Sequence, residues 1–209
     1  MADLTFPTAA VVNDGNNAAI TGGVKIYNDP NDSNKKGAVV ALLGADGLPW
    51  RSNQSLTVQN TVTRAANTTQ YAVGDVVGGV ITLTNIVPGA GEWFLTDISL
   101  LWNISALPAA MTSFRLYMYN VTPPSAILDN SPWTFGSGDR ASFIGHVDLG
   151  TFALLGTGTG SVYNKAKGVN ERIKTLGGTV YGYLVTNGAY TPAANSETGT
   201  ITTQTSPTP

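Results

Sequence analysis

From Leu56 onward the chain is a series of short strand-forming runs at regular intervals, with Gly, Pro, Asn and Asp between them and no sustained helical period. The runs cover residues 56–64, 75–85, 92–104, 114–119, 142–149, 179–186 and 199–205. In 92–104, Phe94, Ile98, Leu100, Trp102 and Ile104 share one face, with Thr96 the polar exception. In 114–119, Phe114, Leu116 and Met118 alternate with Arg115, Tyr117 and Tyr119. Residues 105–112 have room for one helical turn, which Pro108 limits. The pattern predicts an all-β protein, an antiparallel β-sandwich with Phe94, Ile98, Leu100, Trp102, Leu116 and Met118 in its core. A domain of roughly 150 residues buries roughly 70% of its unfolded surface, so it needs no metal or disulfide to fold.

Three parts are expected: an extended N-terminal arm at 1–55, the sandwich at 56–205 and a flexible tail at 206–209. In the arm, residues 24–27 and 37–43 are short strand candidates, separated by the polar loop 28–36. Val39, Val40 and Leu42 belong to a continuous apolar run that needs cover on both faces, from a neighbouring subunit or from the sandwich. They are therefore interface candidates. Residues 156–160 and 196–209 read as flexible Gly, Thr, Ser and Pro stretches.

Composition narrows the function. Charged residues make up 11% of the 209 and the net charge is −2, which leaves no basic footprint for nucleic acid. Weakly charged surfaces favour association, so a subunit of an assembly is expected, with a soluble β domain bearing a neutral, Thr-rich surface as the alternative. There is no cysteine, hence no disulfide framework and no thiolate zinc site. No signal peptide is read at the start, and no apolar run reaches membrane-spanning length. Asn-x-Ser/Thr matches such as those at Asn53, Asn67, Asn103 and Asn120 follow from the abundance of Asn and Thr.

Residues able to do chemistry are sparse. His146 is the only histidine, with Asp148 on the same strand face, and no Gly-x-Ser-x-Gly elbow supplies a nucleophile. A glycosidase needs two carboxylates roughly 5–10 Å apart in a cleft. Glu92 beside Trp93, and Asp97 near Trp102, come nearest, but strand-edge acids and core tryptophans are the favoured reading. Asp139 with Arg140 is expected to close a loop by a charge-assisted bond. Residues 29–34 faintly resemble a calcium loop but lack the glycine and glutamate of that pattern, so a solvated loop is expected. Lys165, Lys167, Arg172 and Lys174 form one basic cluster around Glu171, read as a solvated loop or a contact for an acidic partner. Tyr117, Tyr119, Tyr181 and Tyr183 lie opposite the apolar set, as an interface row or as a second buried face. No catalytic, cofactor-binding or metal-binding residue is assigned.

Residues 61–85, TVTRAANTTQYAVGDVVGGVITLTN, read as strand, turn-rich connection and strand, with Arg64 and Asp75 charged and Gly78-Gly79 marking a bulge. Within them, residues 62–77 resemble part of a recurring domain of tailed-bacteriophage virion structural proteins, often head decoration (cement) proteins. Three further segments carry the likeness in the same order and spacing: 114–129 (FRLYMYNVTPPSAILD), 139–149 (DRASFIGHVDL) and 181–192 (YGYLVTNGAYTP). The likeness spans residues 56–204, and GADGLPW at 44–50 resembles a segment near the start of such proteins. The resemblance implies a jelly-roll-like sandwich on the capsid surface of a virion, present in the host cytoplasm during assembly. It implies no catalysis and no cofactor. The partners expected are the major capsid protein and further copies of the chain, a trimer ahead of a dimer, with no nucleic acid or membrane. Fibre and tail proteins reuse such domains, so a tail or head-fibre module binding host glycan or a receptor is the alternative, and a glycosidase-like depolymerase a third reading.

Overall fold

The computed structural model describes residues 25–28, 36–39, 55–88, 91–156, 160 and 162–207. Val40, Leu42 and the segments 29–34 and 44–50 lie outside the described residues, and Val39 enters only as the last residue of a strand. The chain divides into two units, Met1–Ser52 and Asn53–Pro209. In the first, β1 (Lys25–Asn28) and β2 (Lys36–Val39) pair antiparallel, so the two expected strand pieces of the arm bond to each other.

The second unit is a two-sheet antiparallel sandwich. Its strands are β3 (Leu56–Thr63), β4 (Val76–Leu83), β5 (Gly91–Trp102), β6 (Ser113–Tyr119), β7 (Phe143–Thr151), β8 (Ala153–Leu154), β9 (Val162–Thr175), β10 (Val180–Thr186) and β11 (Thr198–Pro207). One sheet has the order β4-β10-β6-β7 and the other β3-β11-β5-β9-β8. The pairings are nested: β3 with β11, β4 with β10, β5 with β9, β6 with β7. The chain is thus one long hairpin, doubled back between β6 and β7 and wound so that successive pairs fall in alternate sheets. Contacts between turns of the winding, β11 on β5 and β10 on β6, complete the sheets. Two four-stranded sheets connected in this way are a jelly roll, with β8 as a short addition.

The core fills the space between the sheets. Val62, Leu95, Ile98, Leu100, Trp102, Val162, Ile173 and Ile201 face inward from one sheet; Val77, Ile81, Leu83, Phe114, Leu116, Met118, Val147, Leu149, Val180 and Leu184 from the other. The Trp102 indole packs edge-on to Phe114 at 5.9 Å and lies over Gly199, where a Cβ would come within 2.2 Å of the ring. Only glycine admits that approach. The bulge expected at Gly78-Gly79 is present: both have positive φ, and two residues of β4 are passed over between Val77 and Val80 against β10.

Three expectations are corrected. Phe94 is half-buried, and Leu95 takes its place in the core. The alternation read through 94–98 crosses a bulge at Thr96, which is left over between the Leu95 and Asp97 pairings and donates its hydroxyl to the Gln204 carbonyl at 3.0 Å. One extra residue reverses which side chains face inward. The basic cluster is no loop: it lies on β9, the longest strand, whose inward residues include the buried polar Asn164. The tail is shorter than expected, because β11 continues through Ser206 and Pro207, opposite Phe94 and Trp93.

Trp102→Ala is expected to cost about 3–5 kcal/mol and Leu95→Ala about 2–5 kcal/mol, through cavity formation. Phe94→Ala should cost no more than about 1 kcal/mol. Urea unfolding midpoints check all three, and equal losses at 94 and 95 would contradict the bulge.

Candidate functional site

The outer face of the four-stranded sheet carries the tyrosine row, and the chain covers it itself. The 120–142 connection between β6 and β7 folds back over it. Tyr119 and Tyr183 are fully buried there with Val76 and Val185, beside Ile127, Trp133 and Phe143. The Tyr183 hydroxyl accepts the Ile127 N–H at 3.0 Å and bonds Ser125 Oγ at 3.1 Å, fastening the loop to the sheet. Tyr119 and Tyr183 are therefore second-core residues, not interface residues. Tyr117 and Tyr181 keep partial exposure, but Trp133 stacks on Tyr117 with ring centroids 3.7 Å apart. Phe135, 40% exposed, lies outside Trp133. In this loop Asp139 is buried and its Oδ1 accepts the Ser125 N–H at 3.0 Å, so its partner is a backbone amide in place of the expected Arg140.

The candidate catalytic groups are spread apart and engaged. Arg115 grips Asp148 with two hydrogen bonds, at 2.6 and 3.1 Å, which holds the guanidinium well above its ordinary pKa; His146 lies beside the Tyr117 ring at 5.6 Å. Glu92 pairs with Arg172, and Asp97 lies 3.9 Å from Lys165. Half of the expected basic cluster is thus matched across the strand by the acids of β5. Among the described residues no three His, Cys, Asp or Glu side chains group as metal ligands, and no helix is long and apolar enough to cross a membrane.

Among the described residues, one buried ion pair sits where β3 ends. Arg64 and Glu197 are fully buried with Nε and Oε2 3.3 Å apart. Glu197 also accepts the N–H groups of Ala193 at 2.8 Å and Ala194 at 3.0 Å, and the Trp102 indole N–H at 3.4 Å; Arg64 donates to the Ala194 carbonyl and lies over the Tyr71 ring. Burial disfavours the Arg64 charge, but Tyr71, Glu197 and Tyr190 outweigh it and keep the guanidinium protonated. Tyr71 stacks on Tyr190 at 5.1 Å and donates to Asp129 at 2.6 Å, and Asp129 also accepts the Gly78 N–H. Asp75 is buried too, accepting the Ala72 N–H at 2.7 Å where β4 begins. Both charged residues of the 61–85 segment are structural.

The outer face of the five-stranded sheet differs. Across β3 and β11, Thr63 stands opposite Thr198, Thr61 opposite Thr200, Gln59 opposite Thr202 and Thr57 opposite Gln204. The next strand adds Leu101 and Ser99 beside Thr200 and Thr202, and the first charge appears only at Asp97. The result is a hydroxyl- and amide-rich surface without charge. Its signal was present in the sequence, as Thr and Gln at every second position of 57–63 and 198–204, but polar residues at strand spacing do not by themselves distinguish a solvated face from a contact face.

No family model matches the chain, and no curated protein matches it.

Glu197→Gln or Arg64→Leu alone is expected to destabilise by about 3–5 kcal/mol, because each leaves a buried partner uncompensated. The Arg64→Leu/Glu197→Gln double variant should lose less than the sum of the two singles, because neither charge is then left buried without its partner, and the double-mutant cycle in urea checks it.

Alkaline pH tests the buried phenols. Burial pushes Tyr119 up to about 12 and raises Tyr71 and Tyr190 further, with the Asp129 hydrogen bond adding at Tyr71. The unfolded chain ionises its phenols near pH ~10. Above that pH the folded state binds more protons than the unfolded one, so stability falls as pH rises from ~10 through ~12, by about 1.4 kcal/mol per unit for each such tyrosine. Tyr119→Phe should make the fall shallower, and a flat stability profile over this window would contradict the burial.

Proposed function

We propose that the chain is a non-enzymatic structural protein of a tailed-phage virion, a capsid decoration (cement) protein that binds the major capsid lattice as a homo-oligomer and stabilises the head. The observation that carries this reading is the charge-free face across β3 and β11. Covering a charge costs several kcal/mol unless it is paired, whereas hydroxyl and amide groups exchange water for a partner's hydrogen bonds at little cost. A broad neutral polar face is suited to being covered by protein. Contacts that are weak singly add up when many copies sit on a symmetric shell. The engagement of Glu92, Asp97 and Asp148 by cations favours binding over hydrolysis. Residues 1–55 act in this reading as the arm that bridges neighbouring copies.

A tail or head-fibre module that binds host glycan is the second reading, favoured by the exposed Phe135 ring outside the Trp133–Tyr117 stack. Copy number separates the two: decoration requires on the order of hundreds of copies per virion, a tail module few.

Purified protein added to heads that lack it should bind at that high copy number and raise the temperature at which the heads open. Thr200→Glu with Thr202→Glu is expected to weaken head binding at least about tenfold, each 1.4 kcal/mol lost being a factor of ten. Deleting residues 1–52 should leave the sandwich folded and reduce binding. Undiminished head binding by the glutamate variant would remove the assigned face, and a few copies confined to the tail would remove the decoration reading.

A further inference from the structure

We propose that β3 is a self-association edge: two copies of this protein join by antiparallel pairing of their Leu56–Thr63 strands across a two-fold axis. This deepens the assembly reading above by naming the surface and the symmetry, and a two-fold pair takes the place of the trimer that the resemblance implies.

The case rests on how the open edges of the sandwich are protected. An unpaired strand edge presents free N–H and C=O groups, and proteins blunt such edges with charge, proline, bulges, short length or a covering segment. The edges on three sides are blunted. On β4, the Gly78-Gly79 bulge breaks the line and the loop is bonded along the start of the strand, through Asn130 N–H to the Val76 carbonyl at 2.8 Å and Val76 N–H to the Ser131 carbonyl at 2.9 Å. On β7, His146 and the Arg115–Asp148 pair line the edge and the ladder to β6 is twice irregular. At the far side of the other sheet β8 is two residues long, and the rest of β9 carries Lys165, Lys167, Glu171, Arg172 and Lys174 and a break at 168–170.

Among the described residues β3 has none of these devices. Its sequence, LTVQNTVT, contains no charge and no proline, and its ladder to β11 runs without a break over all eight residues. Among the described residues no segment pairs with its other side.

The same strand complements itself. Thr57, Gln59, Thr61 and Thr63 face outward, Val58 is half-buried, and Asn60 and Val62 are buried. To keep the two faces continuous, odd-numbered residues of one copy must stand opposite odd-numbered residues of the other. Any such antiparallel register opposes Thr and Gln to Thr and Gln, pairs that stabilise a sheet, and no charge meets its own symmetry mate. The other blunted edges offer no comparable surface, so a second β3 is the matching occupant. Pairing would join two five-stranded sheets into one and extend the neutral face across both copies.

The chain has no cysteine, which makes single cysteines clean reporters. Gln59→Cys, Thr61→Cys and an equal mixture of the two are treated with a short bis-maleimide, with Lys174→Cys on β9 as the control. One of the three is expected to cross-link to a dimer at least about tenfold faster than the control, depending on whether the axis passes Gln59, Asn60 or Thr61. Sedimentation of the unmodified full chain at tens of micromolar should give a dimer, and hydrogen exchange at β3 should slow with concentration. Thr57→Lys/Thr61→Lys should sediment as a monomer with its unfolding midpoint retained. A monomer with freely exchanging β3 amides overturns the proposal. So does a monomer whose β3 amides are protected independently of concentration, since the chain's own residues would then cover the edge. A larger oligomer that survives the two lysines overturns it as well. None of these measurements needs a capsid: a dimer that fails to bind heads removes the decoration reading and leaves this one standing, and a head-binding monomer does the reverse.

Discussion

A buried guanidinium–carboxylate pair, Arg64 with Glu197, holds the two ends of the wound chain in register. The residues involved are 133 apart in sequence, and the pair stands where β3 leaves its partner β11. Threonines recur on the outer side of both strands, so the outward pattern alone discriminates weakly against a slip of two residues, which preserves the faces. The ion pair does discriminate. The Arg64 N–H bonds the Glu197 carbonyl at 2.9 Å, next to the Thr63–Thr198 pairing, and the carboxylate is already committed to Ala193, Ala194 and Trp102. A slip would strand both charges away from water. The Trp102 ring over Gly199 acts in the same sense, because every other residue of β11 presents a Cβ to it. A pair of this kind contributes little net stability against an apolar replacement; its value here is in excluding other registers.

The nested pairing has a consequence for how the fold forms and where it stays open. Of the four nested pairs, only β6 with β7 joins consecutive strands, and even there the connection is 23 residues long, covering 120–142. The remaining pairs close over progressively larger separations, ending with β3 and β11. Loop closure must be met before those contacts form, so slow folding with late docking of the outermost pair is expected of this topology. The free ends of the doubled chain are the last to be sealed, and β3 is one of them. Its position at a sheet edge follows from the winding itself.

Much of this was legible in the chain. Seven of the nine strands of the sandwich fall where alternation and turn residues place them, and Gly78-Gly79 announces its bulge. β9 escaped because its outward positions are cationic, its inward ones include Asn164, and three residues around Gly168 break its period; the acids that pair with Lys165 and Arg172 lie on β5, about 70–80 positions away. Phe94 and Leu95 exchanged places because a bulge has no signal of its own when the inserted residue is a threonine, a good strand former. The tyrosine row was compatible with an interface or a second core, and the decision lay in the loop 120–142, whose Ile127, Trp133 and Phe135 are scattered among turn residues. The Arg64–Glu197 pair has no local pattern at all. Contacts set by winding, and not by neighbours in sequence, are the ones that local reasoning misses.

The distribution of charge links the fold to its surface. Charged residues are few, and those on the sandwich are mostly spent within it: Arg64 and Glu197 lock the register, Asp129 ties a loop to β4, Asp75 and Asp139 hold turns within the connections, and Arg115, Arg172 and Lys165 neutralise acids on adjacent strands. Of the charges that remain, Lys167, Glu171 and Lys174 lie on β9. None is left for β3 and β11, so the face without charge and the edge without protection are made of the same residues. A monomer living alone in water would gain solubility from even one lysine there and lose nothing in packing, since Thr57 and Thr61 point away from the core. A surface that forgoes this gain suits one that another molecule covers, so the neutral face and the open edge together are the surface on which the proposed assembly rests.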